Sequence, residues 1–143
     1  MKENVVIRTV SRLSVPFIQL FGLYVIIHGA SGAGGGFQGG IALASSFILM
    51  IIAFGVADVK RRINERGIMI YSIVGILLFI LTGLLSLLFA GNFLELNVIE
   101  EAFGIAGLHA ILTDVVEIGI GITVMAVMLS IIYDMAEQED DAS

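Results

Sequence analysis

Apolar residues in this chain come in four long blocks, and polar residues gather in the breaks between them. The blocks run from about Leu13 to His28, Phe37 to Ala57, Ile68 to Ala90 and Val115 to Tyr133. A helix rises about 1.5 Å per residue, so about 20 residues cross the roughly 30 Å hydrocarbon core of a bilayer. The second and third blocks hold no formal charge, and the fourth holds a single carboxylate, Glu117. Pro16 falls in the opening turn of the first block, where a missing backbone N–H is tolerated. Lipid offers no hydrogen-bond partners to an exposed backbone, so such segments form helices or a closed barrel. These blocks are too long and too evenly apolar for barrel strands. The pattern therefore predicts an all-α, polytopic membrane protein with four transmembrane helices, folded as one domain over residues 1–143.

The breaks differ in kind. The first is rich in glycine, the second is basic around Arg62, and the third, residues 91–113, carries Glu95, Glu100 and Glu101. That third break also contains an apolar stretch from Ala102 to Leu112, interrupted by Gly104 and Gly107. The stretch is too short to cross a membrane, so it reads as an interfacial or re-entrant piece over the outer helix ends.

Basic residues give the blocks a direction. All seven Lys and Arg side chains lie either before the first block (Lys2, Arg8, Arg12) or between the second and third (Lys60, Arg61, Arg62, Arg66). Lys and Arg near span ends are retained in the cytoplasm, which places both termini and the basic loop there and the other two loops outside. The first apolar run is long for a cleavable signal sequence and reads as a retained span.

Composition narrows the chemistry. Hydrophobic residues make up 58% of the chain and charged residues 14%, against about 45–50% and about 25% in a typical soluble domain. The mean hydropathy of +1.04 leaves no room for a separate soluble catalytic module. There is no cysteine, so thiolate metal sites and iron–sulfur clusters are excluded; no cofactor loop or nucleophile–base pair is visible either. The chain reads as no enzyme by itself, and any redox chemistry belongs to a partner. The net charge of −6 sits largely in Glu137 to Asp141 and the third break, and gives no reason to expect nucleic acid.

The most unusual local feature is the first break, from His28 through Gly29, Gly34, Gly35, Gly36, Phe37 and Gln38 to Gly39 and Gly40. It lacks the Lys followed by Ser or Thr of a phosphate loop. Glycine there supplies positive φ and close backbone approach, and Gly36 and Gly40 have the spacing of a helix-packing motif.

This loop resembles that of the B subunit of Mrp-type multisubunit sodium/proton antiporters. Members of that family have a Phe-x-Leu-Tyr run, matched by Phe21, Leu23 and Tyr24, and then a Gly-His-x-x-Pro-Gly-Gly-Gly-Phe-x-Gly-Gly loop. Gly29, Gly34, Gly35, Gly36, Phe37, Gly39 and Gly40 match; Ala30 and Ala33 stand where the family usually has His and Pro. The family is similar in size, in its four spans and in an Asp near the start of the last helix, here Asp114. The resemblance implies a non-catalytic membrane subunit that scaffolds an antiporter module among other membrane subunits and lines a sodium path, with Na+ and H+ as the transported ions. Similar subunits occur in archaeal membrane-bound hydrogenases and related respiratory complexes. The competing reading is a self-sufficient four-helix exporter acting as a dimer, which needs a central acidic residue, and Glu117 lies too near the start of its helix to serve as one.

A charge at the bilayer centre costs about 2.5–3.5 kcal/mol even on insertion scales, so intramembrane carboxylates are few and informative. Asp114 and Glu117 lie three residues apart, on one helical face that Gly121 continues. Two readings follow from this spacing. Neighbouring carboxylates in low dielectric do not both ionise easily, which suits exchange of a proton for sodium. Alternatively, Asp114 is the helix N-cap and Glu117 closes a capping box at the third helical position. His28, at the outer end of the first helix, is either a proton-entry group or an interfacial anchor; His109 falls in the outer loop. Gln19 and Thr82 are expected to form interhelical hydrogen bonds.

Overall fold

The computed structural model describes residues 5–29, 34–89 and 91–141, with side chains to Ala136. Lys2, the Ala30 and Ala33 departures, and the side chains of Glu137 to Asp141 lie outside the described residues. Six helices are described: α1 (Val5–Ile27), α2 (Gly36–Phe54), α3 (Val56–Lys60), α4 (Glu65–Leu88), α5 (Leu96–Phe103) and α6 (Leu108–Asp141). Among the described residues four helices, α1, α2, α4 and Leu108–Ala136 of α6, are long and apolar enough to cross a membrane. This is a multi-pass membrane protein.

Two helices begin well before their apolar blocks. Helix α1 starts at Val5, so Pro16 lies in its interior rather than its opening turn. Transmembrane helices tolerate such a proline because neighbouring groups re-satisfy the freed carbonyl. The extra turns of α1 are tied to the end of α2: Arg8 Nε donates to the Ala53 carbonyl at 3.2 Å, and the Arg8 and Arg12 guanidinium groups lie 5.9 and 5.6 Å from the Phe54 ring centre. Cations are favoured at a helix C-terminus, where carbonyls are left without helical donors.

Helix α6 begins at Leu108, not near Val115, and takes up His109 and Asp114, which the sequence pattern had put outside or at its edge. The cause is a connection built from left-handed glycines. Gly104 at φ 66° ends α5 and Gly107 at φ 84° turns the chain into α6. The Glu100 carboxylate then accepts from the His109 backbone N–H at 3.0 Å and also meets His109 Nδ1. An acid from the preceding helix thus satisfies an α6 N-terminal donor.

The helices do not pack in chain order. Helix α1 lies on α2, α2 on α6, and α6 on α4, so the last helix is inserted between the second and third spans; α5 rests on α6 and α4. Glycines set these approaches. Successive residues turn by about 100°, so positions 119 and 121 of α6 point about 200° apart. Gly119 faces Gly75 of α4, while Gly121 faces Gly36 and Gly40 of α2. Close approach through small residues is how helices associate where lipid is as apolar as leucine.

A buried core lies at the basic end, where Val59, Ile68, Ala126, Leu129 and Tyr133 pack together with Phe47 and Met50 against them. Tyr133, 1% exposed, donates its hydroxyl to the Ile63 carbonyl at 3.0 Å and so pins the basic loop. Asn64 caps α4 by accepting from Gly67 N–H at 2.7 Å, and Lys60 pairs with Glu65 at 2.8 Å. Elsewhere large apolar side chains face outward, among them Phe17, Leu20, Leu81 and Leu88. Such surface is stable only against lipid or other membrane chains.

Candidate functional site: a carboxylate pair beneath the glycine loop

At the end away from the basic residues, the glycine loop folds back on α1. His28 N–H donates to the Tyr24 carbonyl at 3.1 Å, and Gly35 N–H donates to the Val25 carbonyl at 3.1 Å. Gly35 itself has φ 145°, which lets the chain enter α2 without a side-chain cap. This return brings both flanks of the loop against α6 at one place. Gly29 abuts the Glu117 carboxylate, Gly36 abuts the Glu117 backbone carbonyl, and Gly40 lies against Gly121 one turn deeper. A Cβ at Gly29 or Gly36 would overlap these groups.

Asp114 and Glu117 are half-buried on α6. Asp114 Oδ1 and Glu117 Oε2 are buried and have no hydrogen-bond partner among the described residues. A buried carboxyl oxygen left unpaired is costly, and in folded proteins it usually marks a proton, an ion or a water. The capping-box reading does not hold. Asp114 is in the second turn of α6, where every backbone N–H already has a helical acceptor, so neither carboxylate serves as an N-cap.

The other sequence candidates scatter around this point. His28 is exposed and stacks on Tyr24, with ring centroids 4.0 Å apart. Phe37 is 61% exposed and points away from the bundle. Gly39 packs against Gly22 and Ile26 of α1, and Gly34 against the Val25 carbonyl. His109 is a helix residue clasped by Glu100 rather than a loop residue. The backbone and ring donors of His109 hold the Glu100 carboxyl below the ordinary carboxylate range. Thr82 donates to Leu78 in its own helix at 2.7 Å, so it is not an interhelical bond.

Residues 6–130 match the family model described as a domain related to the MnhB subunit of Na+/H+ antiporter. This chain belongs to the MnhB family. The MnhB match takes in α1 to α5, the glycine loop and the part of α6 that carries Asp114 and Glu117. A Staphylococcus haemolyticus protein named as antiporter subunit mnhB2 is 38% identical over 140 residues, covering 95% of this chain and 97% of the relative. The Staphylococcus aureus (strain Newman) protein of the same name is 34% identical over 138 residues, again covering 95% of this chain and 97% of the relative. These two relatives therefore match this chain along nearly their whole length, and the carboxylate pair lies within the part matched by the family model.

Some of this arrangement left little trace in the sequence. The contact of Gly29 with Glu117 joins residues far apart in the chain. The Ser86 hydroxyl, which reaches the Gly83 and Asn92 carbonyls at 2.8 and 2.9 Å and shapes the exit from α4, looked like one more small residue in a span. Gly104 and Gly107 did carry a signal: two glycines three apart inside an apolar stretch mark a helix end and a helix start.

Proposed function

We propose that this chain is a non-catalytic membrane subunit of a multisubunit Na+/H+ antiporter in the cell membrane, and that Asp114 and Glu117 line its ion path beneath the glycine loop. Membership of the MnhB family and the names of the relatives support the subunit role. One observation carries the site: two carboxyl oxygens, on adjacent turns of a span that is otherwise uncharged as far as Tyr133, are buried without partners.

The chemistry follows from the geometry. Two buried carboxyl oxygens one turn apart, without protein partners, offer a place that either a proton or a sodium ion can take. Sodium arriving at the pair displaces the proton, and a proton returning displaces sodium, with the total charge constant. Gly29, without a side chain, leaves open the space that the Glu117 carboxylate occupies, while Gly36 lets the α2 backbone approach the Glu117 carbonyl. His28, exposed one residue before Gly29, stands at the mouth. The pair lies near one end of α6, so other subunits supply the rest of the path. Both termini and the basic loop face the cytoplasm, supported by the clustering of every Lys and Arg at that end. Helix α5, about 12 Å long and with only Ile99 fully buried, lies at the outer interface.

The test is sodium-dependent proton movement in vesicles carrying the assembled complex, with Glu117→Gln and Asp114→Asn in this chain. Loss of exchange in either variant, with the complex still assembled, is the expected result. Unchanged exchange in both would remove the pair from the path and leave a scaffolding role.

A further inference from the structure

At the opposite end of the molecule a groove of about 740 Å³ opens between α1, the end of α2 and α3. Its mouth carries Arg12, Arg61 and Arg62 against a single acid, Asp58. Its floor, deeper along the spans, is formed by Val15, Phe47 and Met50. The neighbouring cations are directed elsewhere: Arg8 to the Ala53 carbonyl, and Lys60 to Glu65 and the face of the Tyr133 ring. Charge and apolarity are thus separated along the membrane normal, with three guanidinium groups at the span ends and a mostly apolar lining below them, in which Gln19 is the one uncharged polar residue among those described.

We propose that this groove binds an anionic phospholipid, its phosphate among Arg12, Arg61 and Arg62 and an acyl chain along Val15, Phe47 and Met50. Arginine's fork of donors matches phosphate oxygens, and basic clefts between spans at the cytoplasmic side suit anionic headgroups. A soluble anion meets the mouth but leaves the apolar floor unfilled. A zwitterionic lipid fills the floor but brings a cation to the arginines. An anionic lipid satisfies both. The site binds the basic loop, α1 and α2 together and is independent of the carboxylate pair.

The experiment is native mass spectrometry of the full chain released from detergent, titrated with phosphatidylglycerol, with phosphatidylcholine of the same acyl chains, and with inorganic phosphate. The wild type should retain phosphatidylglycerol at least about tenfold better than phosphatidylcholine, given the attraction of each basic residue to anionic headgroups. Arg61→Gln with Arg62→Gln, and separately Arg12→Gln, should lose most of that preference, while Arg66→Gln, outside the groove, should keep it. Equal retention of both lipids, or a preference unchanged in the Arg61/Arg62 variant, would overturn the proposal. Displacement of bound lipid by inorganic phosphate alone would overturn the lipid as the source of the anion. An acidic segment of another subunit filling the groove in the assembled complex, with no lipid phosphorus retained, would overturn it equally.

Discussion

The Glu117 carboxylate rests against the backbone of Gly29, so the end of α1 and the middle of the ion-path candidate share one space that only a residue without a side chain can leave open. Gly29→Ala places a methyl group where the carboxylate lies, and the side chain, not the backbone, has to give way. The expected result is a stability loss of about 1 kcal/mol, at the low end of overpacking costs, together with altered ion exchange. In the Glu117→Ala background the three atoms nearest that methyl are gone, so the two substitutions should be non-additive in a double-mutant cycle of thermal unfolding in detergent. Strict additivity would show that the two residues do not share this space.

Gly36 provides the contrast. Its missing Cβ faces the Glu117 carbonyl, which belongs to helix backbone and cannot rotate away. Gly36→Ala should therefore push α2 from α6 and cost about 1–3 kcal/mol or more, exceeding Gly29→Ala in the same melt. Removing the Glu117 side chain should not relieve it. Rescue of Gly36→Ala by Glu117→Ala would contradict the assignment of the clash to backbone.

Glu100 ties α5 to the first turn of α6 through His109, and its carboxyl is held below the ordinary range by those donors. A carboxyl lowered in the folded state contributes stability that is present above its unfolded pKa of about 4.3 and is lost as pH falls through the lower folded value. Backbone hydrogen exchange over residues 104–112, taken as protection relative to the unfolded chain at the same pH, should thus be strong at neutral pH and fall in acid below about pH 4. In Glu100→Gln the exchange should already be faster at neutral pH, and its acid step should be missing. An acid step of the same size in the variant would assign the pH response to another group.

These residues show which parts of the fold were legible beforehand. The four spans and the packing face of Gly36 and Gly40 follow from local spacing, because apolar length and small-residue period are written along the chain; that Gly121 meets that face does not. The start of α6 was misplaced because Asp114 looks like a cap when read locally; the real donor satisfaction comes from Glu100, on another helix. Likewise, the order α1, α2, α6, α4 depends on which faces of α6 carry Gly119 and Gly121 and on what meets them. The carboxylate pair was visible as a pair, but its burial without partners depends on the return of the glycine loop, a tertiary feature. Pro16, read as an opening-turn residue, is interior because Arg8 and Arg12 extend α1 onto Phe54.

The Tyr133 hydroxyl reaches from α6 to the Ile63 carbonyl at 3.0 Å, a side-chain bond between the last helix and the basic loop. Tyr133→Phe keeps the ring packed among Val59, Ile68 and Leu129 and leaves that carbonyl unpaired. A loss of about 0.5–1.5 kcal/mol is expected, set by one neutral hydrogen bond. Tyr133→Ala also empties a core site that is 1% exposed, so its loss should reach about 3–5 kcal/mol. Equal melting temperatures for the two variants would mean that the ring contributes nothing beyond its hydroxyl.

The direction of the bundle in the membrane is open to a direct reading because the chain has no cysteine to interfere. Ala57 is exposed on α3 beside the basic loop, and Ala106 is exposed between α5 and α6 at the other end. Neither takes part in the contacts described above, so Ala57→Cys and Ala106→Cys should insert normally. If the basic end is cytoplasmic, a membrane-impermeant maleimide should label Cys at 106 in intact cells and Cys at 57 only after permeabilisation. The retention of Lys and Arg on the cytoplasmic side makes the reverse pattern energetically unfavourable for this charge distribution. Labelling of position 57 from outside intact cells would invert the bundle. It would put the carboxylate pair at the cytoplasmic end, with His28 at a cytoplasmic mouth, and turn the direction from which sodium reaches Glu117.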